Sequence, residues 1–335
     1  MCAKRKTPTI YDVAELSGVS ITTISRVLNA PEKVNTATRV RVLDAIDKLG
    51  FIPKAEARAR ALQHMGRIIV ITPFFTVPSF VQRLRGIAVA LSSTNYELVI
   101  YTVDSLERLQ SYLSSLPLRG NLDGLIIISL QVDDKEVKRL IQHELPTVLI
   151  EYPNRALNSV EIDDIEGGRI AAEHLIGKGH ARLAFLGDTN PPEYAIHPMS
   201  LRLKGFRKAV HDAGLELPAP FVRSAPNTME HARQVATELL TMKKPPSAIF
   251  AASDYQALSV LKVARQLGIR VPQDLAIIGF DDLDMAEYED LTTIRQYLDE
   301  SGQLAIDILL SHIENATLPP KHVTIPLTLV ERSTT

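Results

Sequence analysis

Two hydrophobic rhythms divide this chain. Up to about residue 50 the apolar positions recur three and four apart, the spacing of helices packed on one another, whereas from Arg67 onward they gather into short β-branched runs separated by amphipathic stretches. In the first part Thr9 is placed to cap a helix running through Leu16, with Gly18 breaking it. Ser20 caps a second helix to about Asn29, and Asn35 a third, in which Val40, Leu43, Ile46 and Leu49 form the apolar stripe and Gly50 marks the end. Val13, Ala14, Val19, Ile24 and Val27 fall where two crossed helices bury small side chains, with Gly18 at the turn, which is the construction of a helix-turn-helix. After Pro53 the Ala/Arg-rich stretch from Lys54 to Leu62 has helix potential but little apolar surface, so it needs a partner to fold.

In the second part Ile68–Thr72, Leu98–Thr102, Leu125–Ser129, Thr147–Glu151, Leu183–Gly187, Ala248–Ala252 and Leu275–Phe280 predict strands. Helices are predicted between them near 80–93, 133–143, 165–178, 200–213, 229–242 and 254–267. Such alternation with short connections indicates parallel sheets covered on both faces, and a break near residue 160 makes two similar doubly wound lobes. A chain of 335 residues is also too long for one ordinary α/β core. No sequence repeat of 20 to 50 residues is visible.

Charge changes the picture, because the net value of −2 conceals an asymmetry. Residues 1–64 hold eleven Lys and Arg against six Asp and Glu, a surplus of +5, while the remainder holds 26 basic and 33 acidic residues. A basic head on an acidic body suits a polyanionic partner. The exposed face of the second helix carries Ile21, Thr22, Ser25, Arg26 and Asn29, which are groove-reading types: Arg forks onto guanine, Asn pairs with adenine, and Ile or Thr meets the thymine methyl. Cys2 is the single cysteine, which excludes an internal disulfide framework and a Cys-based zinc site. No run of eighteen apolar residues occurs and the first residues lack a secretory leader's apolar stretch, so a cytoplasmic, nucleoid-associated protein without a membrane partner is expected.

The segment from Thr9 to Asn29 resembles the head of the LacI/GalR (lactose-repressor) family of bacterial transcriptional regulators. The likeness extends over nearly the whole chain, through blocks at 34–53, Gly167 to His180, Arg202 to Phe206, Ser253 to Leu258, Gly268 to Asp282, Leu291 to Gln296 and Leu329 to Thr334. The resemblance implies an N-terminal all-α helix-turn-helix head (1–52) docking in the major groove and a hinge helix or linker (53–66) in the minor groove. It further implies an α/β periplasmic-binding-protein-like sensor (67–335) of two doubly wound parallel-sheet lobes. The first lobe is expected at about 67–160 plus 295–320, the second at about 161–290 plus 321–335. The candidate DNA contacts are Thr9, Tyr11, Ser20, Ile21, Thr22, Thr23, Ser25, Arg26 and Asn29 in the head, with Ala57, Arg58, Arg60 and Leu62 in the hinge. The expected partners are a pseudo-palindromic double-stranded operator, a second copy of the chain in a homodimer, and a small effector. A sugar or glycoside is the expected effector, with a purine or other metabolite as the alternative, and no cofactor is called for.

In open parallel sheets ligands sit beyond the carboxyl ends of the strands. Phe74 and Phe75, Glu151 and Tyr152, Ser253 and Asp254, and Phe280 with Asp281 fall there, while Arg202 opens a helix facing the same cleft. In the resemblance Arg202 and Asp281 match the positions most often used to grip effector hydroxyls, and Glu151 a position acidic in some sugar-responsive relatives. The effector set is therefore Phe74, Phe75, Glu151, Arg202, Ser253, Asp254, Phe280 and Asp281. Asp281, Asp282 and Asp284 lack the turn glycine and spaced ligands of a calcium loop, and His174 and His180 lie six apart, off a shared helix face, so no metal is expected. Dinucleotide, P-loop and nucleophile-elbow motifs are absent, which argues against an enzyme.

The hinge departs from the family pattern Pro-Asn-x-x-Ala-Arg-x-Leu. Counting from Pro53, Ala57 and Arg58 keep their places, but Arg60 stands in the leucine slot and Leu62 follows two residues late. Two steps turn a side chain roughly 200° around a helix. Either Leu62 wedges into the minor groove from a helix set two residues later, or Arg60 occupies the groove electrostatically.

Overall fold

The computed structural model describes residues 8–29, 33–49, 51, 66–118, 122–188, 190–226 and 228–335. Ala57, Arg58, Arg60 and Leu62, as well as Cys2 and Gly50, lie outside the described residues, as does the side chain of Asn29. The chain divides into two units, residues 1–65 and 66–335.

The first unit contains α1 (Ile10–Ser17), α2 (Ile21–Asn29) and α3 (Thr36–Leu49). Its helix starts are fixed locally. Asp12 accepts hydrogen bonds from the backbone N–H of Thr9 at 2.6 Å and from its hydroxyl at 2.7 Å. Ser20 Oγ accepts from the Thr23 N–H at 3.2 Å, and Asn35 Oδ1 from the Thr38 N–H at 2.8 Å. Gly18 ends α1 at φ +66°, a conformation that only glycine adopts without strain. Val13, Ile24, Val27, Val42 and Ala45 form the core, closed over by Ala14, Val19, Ile46 and Leu49. The expected stripe of α3 holds at Ile46 and Leu49, but Val42 and Ala45 face inward where Val40 and Leu43 were expected, and those two are exposed. Alanine carries little weight in a hydrophobic pattern, so the buried face of the first half of the helix is not legible in the sequence.

The second unit holds two six-stranded sheets. The first contains β1 (Arg67–Thr72), β2 (Glu97–Thr102), β3 (Gly124–Ile128), β4 (Thr147–Ile150), β5 (Asn158–Glu161) and β11 (His322–Thr324) in the spatial order β2-β1-β3-β4-β5-β11, all parallel. The second contains β6 (Leu183–Gly187), β7 (Val222–Ser224), β8 (Ala248–Ala251), β9 (Ala276–Asp281), β10 (Thr292–Arg295) and β12 (Thr328–Val330) in the order β7-β6-β8-β9-β10-β12, parallel except for β12. Ile68 to Ile71 and Leu125 to Ile128 are buried throughout, as central strands sandwiched between helices must be. Each lobe reverses its strand order next to its first strand, and a crevice opens at that switch point. The chain passes between the lobes after β5, after β10 and after β11.

One expected boundary is corrected: His322–Thr324 joins the first sheet, not the second lobe. Ser159 donates its N–H to the Lys321 carbonyl at 2.9 Å, and Lys321 its N–H to Asn158 Oδ1 at 2.9 Å. A three-residue edge strand leaves no apolar run to betray its side.

In each lobe the helix after the first strand is clamped by a second helix through glycine. α4 (Pro78–Leu91) meets α12 (Leu298–Glu314), where a Cβ on Gly302 would stand 2.3 Å from the Arg83 carbonyl oxygen and one on Gly86 2.0 Å from that of Asp299. α8 (Pro198–Asp212) meets α7 (Asp164–Gly177), where a Cβ on Gly168 would stand 1.9 Å from the Arg202 carbonyl oxygen and one on Gly205 1.8 Å from that of Ile165. Backbone against backbone, these crossings aim Arg83 and Arg202 into the crevice.

Candidate functional site

Two sites emerge, one in each unit. On α2, Ile21, Thr22 and Arg26 are exposed, Thr23 and Ser25 are half-buried, and Tyr11 on α1 is 70% exposed. Ser20 and Thr23 have a structural task as well, because their hydroxyls lie 2.9 Å apart at the start of α2. Thr9 is likewise engaged with Asp12 at the start of α1.

The second site is a cavity of about 380 Å³ between the lobes, at the switch points of both sheets. Phe74 follows β1, Ser129 follows β3, Glu151 follows β4, and Asp188, Ser253 and Asp281 stand at the ends of β6, β8 and β9. Its floor is charged. Arg83 donates from Nη2 to Glu151 Oε1 at 2.5 Å and from Nε to Ser301 Oγ at 3.0 Å, while Ser129 donates to the other Glu151 oxygen. Across the cleft Arg202 donates from Nε to Asp164 Oδ1 at 2.8 Å and from Nη1 to the Ala252 carbonyl at 2.6 Å. Its guanidinium lies 3.5 Å above the Phe280 ring. Gln296, on the crossover after β10, donates to Asp281, and its own Oε1 is buried without a hydrogen-bond partner among the described residues. The walls are apolar: Val77, Phe80, Pro192, Ile196 and Met199 line them.

Burial sets the protonation of these carboxyls. It pushes Asp281 up to about 8, with Arg202 opposing and nearby Asp254 adding to the rise. Asp164 rises to about 6 through burial, against the pull of Arg202. Burial works on Glu151 too, but Arg83, the Ser129 hydrogen bond and Arg202 together outweigh it and hold that carboxylate below its ordinary value. At neutral pH the Arg83–Glu151 and Arg202–Asp164 pairs are charged, and Asp281 is largely protonated. Ser129, Glu151 and Asp281 have φ of 56°, 67° and 127°, so three non-glycine residues on the cleft floor hold strained backbone.

Of the expected effector residues the cavity brings together Phe74, Glu151, Arg202, Ser253 and Asp281. Three expectations are corrected. Phe75 is 43% exposed and stays out of the lining. Phe280 lies in the lobe core beneath Arg202, because alternation along β9 turns it away from Asp281. Asp254 is fully buried below the floor, accepting from the Leu283 N–H at 2.8 Å and the Thr293 hydroxyl at 2.5 Å, so it braces the end of β9.

Arg83, Ser129 and Gln296 were not singled out by the sequence. Arg83 carries a usable signal, since it occupies the inward phase of α4 with Phe80 and Ile87, where a charge must have a partner. The connection at 188–197, with its prolines and tyrosine, is long for a doubly wound fold.

Residues 9–54 match the family described as "Bacterial regulatory proteins, lacI family", and residues 172–335 match "Periplasmic binding protein-like domain". The ribose operon repressor of Escherichia coli (strain K12) is 32% identical over 330 residues, covering 97% of this chain and 98% of the relative. A solved complex of the transcriptional regulator CelR with cellobiose superposes with a TM-score of 0.69 at 30% identity, over 98% of this chain and 100% of its own. The lac repressor dimer bound to operator and an anti-inducer superposes with a TM-score of 0.75 at 27% identity, over 98% of this chain and 99% of its own.

Proposed function

The chain belongs to the LacI family of bacterial regulatory proteins, and from that membership we propose that it is a sequence-specific, DNA-binding transcriptional repressor governed by a sugar or glycoside held between its lobes. The observation that carries the effector assignment is the balanced floor of the cleft. Arg83 with Glu151 and Arg202 with Asp164 cancel in charge and the remaining lining side chain of Asp188 is acidic, so the site favours a neutral ligand over an anion, while offering donors and acceptors side by side to adjacent hydroxyls. Protonated Asp281 and the unpartnered Gln296 Oε1 supply one further donor and one acceptor. The apolar walls suit the hydrocarbon face of a sugar ring.

In this reading α2 enters the major groove, with Ile21, Thr22, Ser25, Arg26 and Asn29 as the base-reading residues and Thr9, Tyr11, Ser20 and Thr23 as contacts to the DNA backbone. Ala57, Arg58 and Arg60 or Leu62 serve the minor groove. The kinship with transcriptional regulators supports a regulator in place of an enzyme, acting in the cytoplasm where its DNA is. No helix among the described residues is long and apolar enough to cross a membrane.

The test is fluorescence anisotropy with labelled genomic fragments and a panel of neutral mono- and disaccharides. One pseudo-palindromic fragment is expected to bind roughly 10³-fold or more tightly than the rest, and at least one sugar to change that affinity. Equal affinity for all fragments would defeat the operator reading, and a specific complex indifferent to every sugar would defeat the effector reading.

A further inference from the structure

The connection from β6 to α8 leaves the second lobe and fastens onto the first. Ala195 forms an antiparallel bridge with Leu130, just beyond β3. Gln131 donates its N–H to the Tyr194 carbonyl at 3.1 Å and its side-chain amide to the Ala195 carbonyl at 2.9 Å, and Ile196 donates its N–H to the Ser129 carbonyl at 3.2 Å. Tyr194, a second-lobe residue, packs against the apolar core of the first lobe beside Tyr152 and Leu109. The other side of the segment, Pro192 and Ile196 among it, walls the cavity. Pro191, Pro192 and Pro198 restrict φ along and beside the segment, so little entropy opposes its ordering.

We infer that residues 190–196 form a latch that ties the second lobe to the first and closes the mouth of the cleft, with Tyr194 as its anchor. Three covalent crossovers join the lobes, and a hinge of that kind leaves their separation free to vary. Beside the Arg85–Asp284 ion pair at 2.7 Å, the segment adds a non-covalent connection between the lobes, and a breakable one is what a cleft that opens and shuts requires. It also reaches the chemistry: Ser129, whose carbonyl takes the Ile196 N–H, is the residue whose hydroxyl holds Glu151. Release of the latch frees the support of Glu151 as it opens the mouth. The inference rests on the effector reading only for its consequence, namely that the latch controls entry and escape of the effector.

The experiment needs no effector. In the full chain with Cys2→Ser, a single thiol is placed on the cavity wall by Ser79→Cys, and its rate of alkylation by a bulky maleimide is measured. Adding Tyr194→Ala is expected to raise that rate about tenfold, which corresponds to ~1.4 kcal/mol of lost preference for the closed form. Tyr194→Phe is expected to leave it unchanged, and Gln131→Ala, which removes one hydrogen bond, to give a smaller rise. A control thiol at Ala184→Cys, inside the second-lobe core, reports global unfolding. Unchanged labelling at position 79 in Tyr194→Ala, or an equal rise at position 184, would overturn the latch. If no sugar in the panel bound, the effector reading would fall while the labelling result stood.

Discussion

At the scale of single residues, three buried carboxyls in and beneath the cleft are reluctant to ionise. Asp281 titrates at about 8, and Asp164 and Asp254 at about 6, all raised mainly by burial, against roughly 3.9 for an aspartate in an unfolded chain. The folded state then holds protons that the unfolded state has released. The stability these groups contribute is full below about pH 4 and is lost as pH rises through about 6 and then about 8. Glu151 is lowered, so its contribution is constant across that upper range. The thermal midpoint of the sensor is expected to fall between pH 5.5 and 8.5, and Asp281→Asn to flatten the upper part of the fall. Parallel pH profiles for the two proteins in calorimetry would show that Asp281 ionises normally. Which residues could be read in advance follows the same physics. Glu151 and Asp281 stand at strand ends and Arg202 one turn into a helix that follows a strand, where topology points to a crevice. Asp254 and Phe280 share that address, and only the side-chain direction, which the sequence does not display, removes them from the site.

At the scale of elements, legibility tracked burial. Central strands such as Ile68–Thr72 and Leu183–Gly187 announce themselves as unbroken apolar runs. β5, with Asn158 and Ser159 buried through hydrogen bonds, and the three-residue strands β7, β11 and β12 carry no such run. The glycines that clamp α4 and α8 were legible as residues but not as contacts, since their partners lie far along the chain. They give a sharp prediction. Gly168→Ala would put a methyl 1.9 Å from the Arg202 carbonyl oxygen, forcing α7 and α8 apart where Arg202 must reach both Asp164 and Ala252. The substitution is expected to destabilise the sensor by about 1–3 kcal/mol and to weaken sugar binding further than it weakens folding. Gly177→Ala on the same helix, with open space around its Cβ, is the control and should change neither. Denaturant midpoints and sugar titrations on the two variants decide it, and equal behaviour would mean that the crossing tolerates a methyl group.

At the scale of the molecule, two lobes with the same strand order arise without a visible sequence repeat. Topology is preserved by the placing of apolar runs and crossovers, not by the identity of residues. Three crossovers and a two-sided ligand site make lobe separation the variable that a ligand can bias, because contacts made by both lobes at once exist in only one arrangement. For an operator-binding homodimer, a change in lobe arrangement alters the spacing of two heads, and one head alone buries only about 600–1,000 Å² on DNA, too little for a tight specific complex. Coupling between operator and sugar is then reciprocal, typically about 5- to 150-fold in either direction. Asp281→Ala separates the two functions. It lies in the sensor and removes one ligand contact from the second lobe, so operator affinity without sugar should stay within about threefold of the parent, while the sugar's effect on the operator falls toward none. Paired titrations of operator at saturating sugar, and of sugar at saturating operator, measure both halves of the cycle. A variant that lost operator affinity with its sugar response intact would assign Asp281 to holding the dimer's DNA-bound form in place of gripping the effector.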